Sequence, residues 1–175
     1  MHIQPNGCSN SAAAPLDPGL NAAILHIARR LFCCGFDVSD QAPGTYAELK
    51  AHLDAGNRMV VYAGGCENTI YADQAVNHAF RAWHDWCHWR GEHDFSVAGE
   101  TAVYHIQCQH LVMLYGDNPA TRRWRDILYA EVVGQRLYYE THKRYVDDQR
   151  AFVEQFLARM PSAIPTSEAT GGATN

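Results

Sequence analysis

Residues 84 to 88 read His-Asp-Trp-Cys-His. Two imidazoles four positions apart stack one turn above the other on a helix. At that spacing one helix offers two nitrogen ligands to a single ion. Asp85 adjoins the first of them and adds a carboxyl. Two further segments carry polar groups where apolar ones are expected. Glu100 and Gln107 interrupt a stripe of Val97, Tyr104, Leu111 and Leu114, which Val103 and Cys108 flank. Glu131, Gln135 and His142 interrupt a line of Trp124, Ile127, Leu128, Tyr138 and Tyr145. Taking a carboxylate out of water costs several kcal/mol unless a partner offsets it. Glu100, in a first turn, can favour the helix N-terminus and still reach solvent; Glu131 has no helix terminus nearby. Two imidazoles with one or two carboxylates suit a divalent metal ion, zinc first, with iron and manganese as alternatives. The competing reading is a buried hydrogen-bond network in which Arg81 or Tyr138 holds Glu131.

Periodicity and cap residues predict the elements that position these groups. Residues 1–18, rich in Pro, Gly, Ser and Ala, read as a flexible arm. A first helix is expected over 20–36, capped by Asp17 or Asn21 and ended at Gly35. Thr45 and Glu48 form a capping box for a helix over 46–55. Residues 58–63 and 68–71 read as two strands of a β-hairpin around Gly64-Gly65. Asp73 caps a central helix over 74–89. Its apolar stripe is Val76, Ala79, Phe80, Trp83 and Cys87, and its polar line is Asn77, Arg81, His84 and His88. Ser96 caps a helix over 97–114. A long helix follows over 120–145, a last one over 147–160, and residues 161–175 read as a flexible tail. The expected fold class is mainly α: a bundle of five or six helices with one small β-hairpin before the central helix. It forms a single globular domain over 19–160.

Composition narrows the function classes. The chain has 175 residues, 47% of them apolar, and a net charge of −5. Those values fit one globular domain. They disfavour non-specific binding to nucleic acid or anionic membrane, which relies on clustered Lys and Arg. No apolar run approaches the roughly 20 residues that span a bilayer, and no basic-then-apolar leader is seen. The six cysteines form no C-x-x-C pair, which points to reduced, mostly buried thiols in a cytoplasmic protein. Cys66, beside Gly64-Gly65, reads as an inert loop thiol without a positioned base. Trp86 and Trp89 point away from the central stripe, so an exposed tryptophan face could take a protein partner.

His84-Asp85-Trp86-Cys87-His88 resembles the H-E-x-x-H helix of zincin-type metallopeptidases, with Asp in place of Glu. The resemblance covers roughly residues 58–105. Glu100, on the next helix, is similar in placement to the third ligand of the glutamate-using branch. The resemblance implies that His84, His88 and Glu100 hold zinc. Asp85 would then take a proton from the attacking water, and residues 68–71 would form an edge strand for a peptide substrate. The departure is that Asp85 is one methylene shorter than the family's glutamate. His84-Asp85, followed by His88, Phe95 and Gly99-Glu100, also resembles a segment of HD-domain phosphohydrolases, which act on nucleotides. That resemblance implies further ligands from His52 and from Asp147 or Asp148. Glu131 additionally suits a di-metal carboxylate bundle, although no Glu precedes His88 or His142 by three residues. The reading favoured here is a metal-dependent hydrolase of a peptide or small molecule. His84, His88 and Glu100 are its ligands, Asp85 its base, and Glu131 a further ligand or an acid that orients a histidine.

Overall fold

The structure is a computed structural model and describes residues 14–160. Among them six helices and a two-stranded sheet follow in order. They are α1 (Pro18–Leu31), β1 (Asp37–Ser39), α2 (Tyr46–Asp54), β2 (Val60–Tyr62), α3 (Gln74–Gly91), α4 (Val97–Tyr115), α5 and α6 (Gln149–Arg159). Helix α5 is continuous but has three parts: Pro119–Tyr129, a π-helical stretch Ala130–Gly134, and Gln135–His142. The protein is a mainly α helical bundle, as expected.

Side-chain caps account for most of the helix starts. Asp73, Ser96, Asn118 and Asp148 each accept a backbone N–H of the turn they open, and Thr45 with Glu48 completes the capping box. Asp17 caps α1 by accepting from Leu20 N at 3.0 Å, and it also accepts from the indole of Trp124 at 3.1 Å. Leu16 N donates to Ile70 O at 2.8 Å. The last residues of the expected arm are therefore docked, because their polar groups have partners on two other elements. The rest of that arm and the expected tail lie outside the described residues. Helix α1 stops at Leu31, earlier than expected, and Gly35 takes a positive φ of 76° in the loop beyond it.

The β-hairpin is not formed. Residues 60–62 are a strand, but they pair in parallel with β1, Val38 opposite Val61. Residues 68–71 cannot join them. Asn68, its first residue, and Ala72, just beyond its end, both sit in the left-handed region with φ of 54°. Its carbonyls are also in use, Ile70 O by Leu16 N and Asn68 O by Arg150 N. The segment thus offers no free strand edge to a peptide.

Helix α3 sits at the centre, in contact with α1, α2, α4 and β2. Its apolar stripe is buried as expected, and so are Asn77, His78 and His88 on the side expected to be polar. On α4 the buried face is turned from expectation. It runs through Glu100, Val103, Gln107 and Leu111, while Leu114 is 36% exposed. Helix α5 ends at His142, where Lys143 caps it with φ of 53°. His142 and Tyr145 therefore lie on the exposed end rather than in the core. Trp86 and Trp89 are half-buried, Trp89 donating to Asp54 at 2.8 Å. Among the described cysteines Cys87 and Cys108 are buried but Cys33 and Cys34 are exposed. The expectation of mostly buried thiols holds only for the helical pair. No helix of the described residues is long and apolar enough to cross a membrane.

Candidate metal centre

Helices α3 and α4 meet where His84, His88 and Glu100 face one another. His84 Nε2 lies 3.0 Å from His88 Nε2 and 3.2 Å from Glu100 Oε2, and His88 Nε2 lies 3.3 Å from the same oxygen. Zinc binds nitrogen and oxygen at about 2.0–2.1 Å, so neighbouring donors of a tetrahedral site stand about 3.3–3.4 Å apart. The three atoms form one face of such a tetrahedron, slightly contracted. The group could hold a metal ion.

The surroundings fix these side chains. His88 is fully buried, and its Nδ1 lies 2.9 Å from the His93 carbonyl. A carbonyl can only accept, so Nδ1 carries the proton and Nε2 keeps its lone pair toward the cluster. Phe95 meets the His88 ring edge-on at 4.7 Å, and Phe80 stacks on His84 at 5.7 Å. Glu100 follows Gly99, where an added Cβ would stand 1.8 Å from Asp94 O. The loop carrying His93 therefore closes directly onto the first turn of α4.

Charge in this cluster is settled by mutual compensation. Burial disfavours a charged His84, but Glu100, Asp85 and Gln107 beside it leave its pKa raised. His88 is lowered by burial and by the charge on His84. Burial would raise Glu100, yet the two histidines hold it at about 2. The carboxylate is thus ionised, and the cluster calls for a positive charge between its donors, either a proton on His84 or a metal ion.

Asp85 and Glu131 line the same cavity, of about 680 Å³, together with His84 and Glu100. Asp85 is half-buried; burial and Glu100 push its carboxyl up to about 6, against His84 and Arg81. Glu131 is buried within the π-helical stretch. Burial pushes it up to about 7, against a Gln135 hydrogen bond, His84 and Arg81. That bond, from Gln135 Nε2, is 2.7 Å long. Glu131 is outside the three-residue cluster and bonds to Gln135 rather than to a histidine, so the orienting partner is the His93 carbonyl instead. Arg81 donates to the carbonyls of Tyr62, Gly64 and Gly65, not to Glu131. His52 bonds to Arg58 O, Asp147 pairs with Arg144, and Asp148 caps α6, so none of them joins the cluster.

One residue gains a role from the structure. Gln107 is fully buried, and neither amide atom has a hydrogen-bond partner among the described residues; the same is true of His84 Nδ1. An unmade buried hydrogen bond costs about 1–3 kcal/mol. A small adjustment that lets His84 Nδ1–H donate to Gln107 Oε1 would satisfy both and leave His84 Nε2 free for an ion. Gln107→Leu is expected to weaken zinc binding at least tenfold, as loss of an outer partner does, whereas Gln107→Glu, which keeps an acceptor, retains it. Competition titration against a chromogenic chelator reads this directly. Comparison of the chain with protein-family models, curated proteins and solved structures finds no match.

Proposed function

We propose that the protein is a metal-dependent hydrolase, with zinc held by His84, His88 and Glu100. The reading rests on one observation. Three donor atoms stand 3.0–3.3 Å apart beside a cavity that two further carboxyls, Asp85 and Glu131, also line. A bound ion would supply Lewis-acid chemistry and a more acidic water. The chain's own residues would move the protons. Asp85, beside the first ligand and in the cavity wall, would accept a proton from the attacking water. The water oxygen bonds to the acyl carbon and the bond to the leaving group breaks. Glu131, whose buried carboxyl is raised well above its ordinary range in the metal-free protein, would give the leaving atom its proton. Two carboxyls displaced from their ordinary range in one cavity suit such a division of roles.

The test is cleavage of a mixed-sequence peptide pool read by mass spectrometry, with zinc-loaded and chelator-treated protein. New termini should appear only with metal. Asp85→Asn should keep its zinc and lose on the order of 10²-fold in rate, the lower end for a general base. Equal cleavage with and without metal would reject the proposal.

A further inference from the structure

We infer that Cys33 and Cys34 form a dithiol site for trivalent arsenic carrying one organic substituent, separate from the cluster of His84, His88 and Glu100. The adjacent cysteines occupy the two central positions of a turn at the end of α1, which Gly35 N–H closes by donating to Phe32 O at 2.9 Å. Both are exposed, and their sulfurs lie 3.7 Å apart. The backbone is held on either side of them. Phe32 N–H donates back to Ala28 O at 2.9 Å, and Asp37 N–H donates to Met59 O at 2.8 Å where β1 begins. Arg58 Nη2 donates to Cys34 O at 2.9 Å. Phe32 and Phe36 meet edge-on at 5.7 Å and pack against the core. The two thiols thus stand on a tied turn that faces solvent.

The separation of the sulfurs narrows the ligand. Thiolates select soft, thiophilic centres. Two sulfurs each about 2.3 Å from one atom stand about 3.8 Å apart at a tetrahedral angle and about 4.6 Å apart in line. The observed 3.7 Å therefore suits an angular centre rather than a linear one. Among the described residues the group of three or more metal-ligating side chains is His84, His88 and Glu100, so no third protein ligand joins the cysteine pair. A four-coordinate zinc ion would be left with two positions open to water. A pyramidal arsenical with one organic substituent has two positions to fill, and the two thiols fill them. In that step two S–H bonds and the arsenic–oxygen bond break and two arsenic–sulfur bonds form. The oxygen leaves as water with both thiol protons, arsenic stays trivalent, and nothing is oxidised or reduced. A direct disulfide is the competing product. Consecutive Cα atoms across a trans peptide stand about 3.8 Å apart, short of the roughly 4.4–6.8 Å that a disulfide ordinarily spans. One intervening atom relieves that constraint.

The experiment titrates the full chain, reduced and then freed of reductant, with phenylarsine oxide. Intact-mass spectrometry reads the adduct, and a colorimetric assay counts free thiols before and after. At equal concentrations one adduct per chain is expected, with one water and two free thiols lost. Cys33→Ser and Cys34→Ser should each weaken the adduct on the order of 10²-fold or more against a competing dithiol, because the second sulfur acts at the high effective concentration of a neighbour. Both variants should melt as the parent does, since the side chains are exposed. Cys8→Ser, Cys66→Ser and His84→Ala/His88→Ala should bind the arsenical as the parent does, which keeps this site distinct from the metal centre and from the hydrolase reading. Absence of an adduct in the parent would overturn the inference. So would an affinity within tenfold of the parent in Cys33→Ser or Cys34→Ser, or an equal loss in Cys8→Ser or Cys66→Ser.

Discussion

Glu100→Gln is expected to weaken zinc binding on the order of 10³-fold while leaving the fold intact. A structural zinc site contributes about 10–16 kcal/mol at neutral pH, so one anionic ligand of three accounts for a few kcal/mol. The substitution is nearly isosteric, but the amide carries no charge. It also removes the group that holds the His84 proton, since the carboxylate lies 3.2 Å from His84 Nε2 and 3.3 Å from His88 Nε2. His84 should then titrate lower in the metal-free variant than in the parent protein. Melting curves give a second measure. At a zinc concentration of about 100 times Kd the parent gains about 2.7 kcal/mol, or roughly 5–10 °C for a chain of this size. The variant should gain almost nothing at that concentration. A zinc affinity within tenfold of the parent would remove Glu100 from the ligand set.

Glu131→Gln should stabilise the metal-free protein, and only toward alkaline pH. Burial raises the Glu131 pKa from an ordinary 4.5 to about 7. A group raised in the folded state contributes stability that is fully present below its unfolded pKa and is lost as pH rises through its folded pKa. The window here is therefore about pH 4.5 to 7. Above it the folded protein holds an ionised carboxylate in a buried place, at a cost on the order of 3 kcal/mol. Glutamine keeps the size and can keep the 2.7 Å bond from Gln135 through its own oxygen. In the presence of chelator at pH 8, urea unfolding should show the variant more stable by about 2–3 kcal/mol. At pH 4.5 the two proteins should coincide. A variant destabilised equally at both pH values would mean that Glu131 serves packing rather than the cavity.

These residues were legible in the sequence to different degrees. The i,i+4 pair His84 and His88 and the misfits Glu100, Gln107 and Glu131 stand out because helical periodicity makes a buried polar group conspicuous. All of them are at the α3–α4–α5 junction. The caps were legible for the same local reason, since Thr45, Asp73 and Ser96 act within one turn. What failed was non-local. Strand 60–62 falls inside the expected 58–63, but its parallel partner 37–39 is three residues long, too short to announce itself by alternation. Residues 68–71 have β-branched and aromatic content, yet their backbone is committed to Leu16 and Arg150, far away in sequence. The π-helical stretch at Ala130–Gly134 adds one residue to a turn, with Gln135 N–H bonding to Ala130 O. No simple residue pattern marks it, and such stretches are frequent at functional sites. The orienting contact on His88 comes from a backbone carbonyl, which any residue at position 93 would supply.

Metal content of the purified chain tests the central claim most directly. The full chain, prepared without a metal-binding tag, would be compared by elemental analysis with His84→Ala/His88→Ala. The arrangement of His84, His88 and Glu100 predicts about one zinc per chain in the parent and none in the double variant. No metal in either protein, together with a melting temperature that added zinc leaves unchanged, would contradict it. The cluster would then be a buried ion pair between a protonated His84 and Glu100.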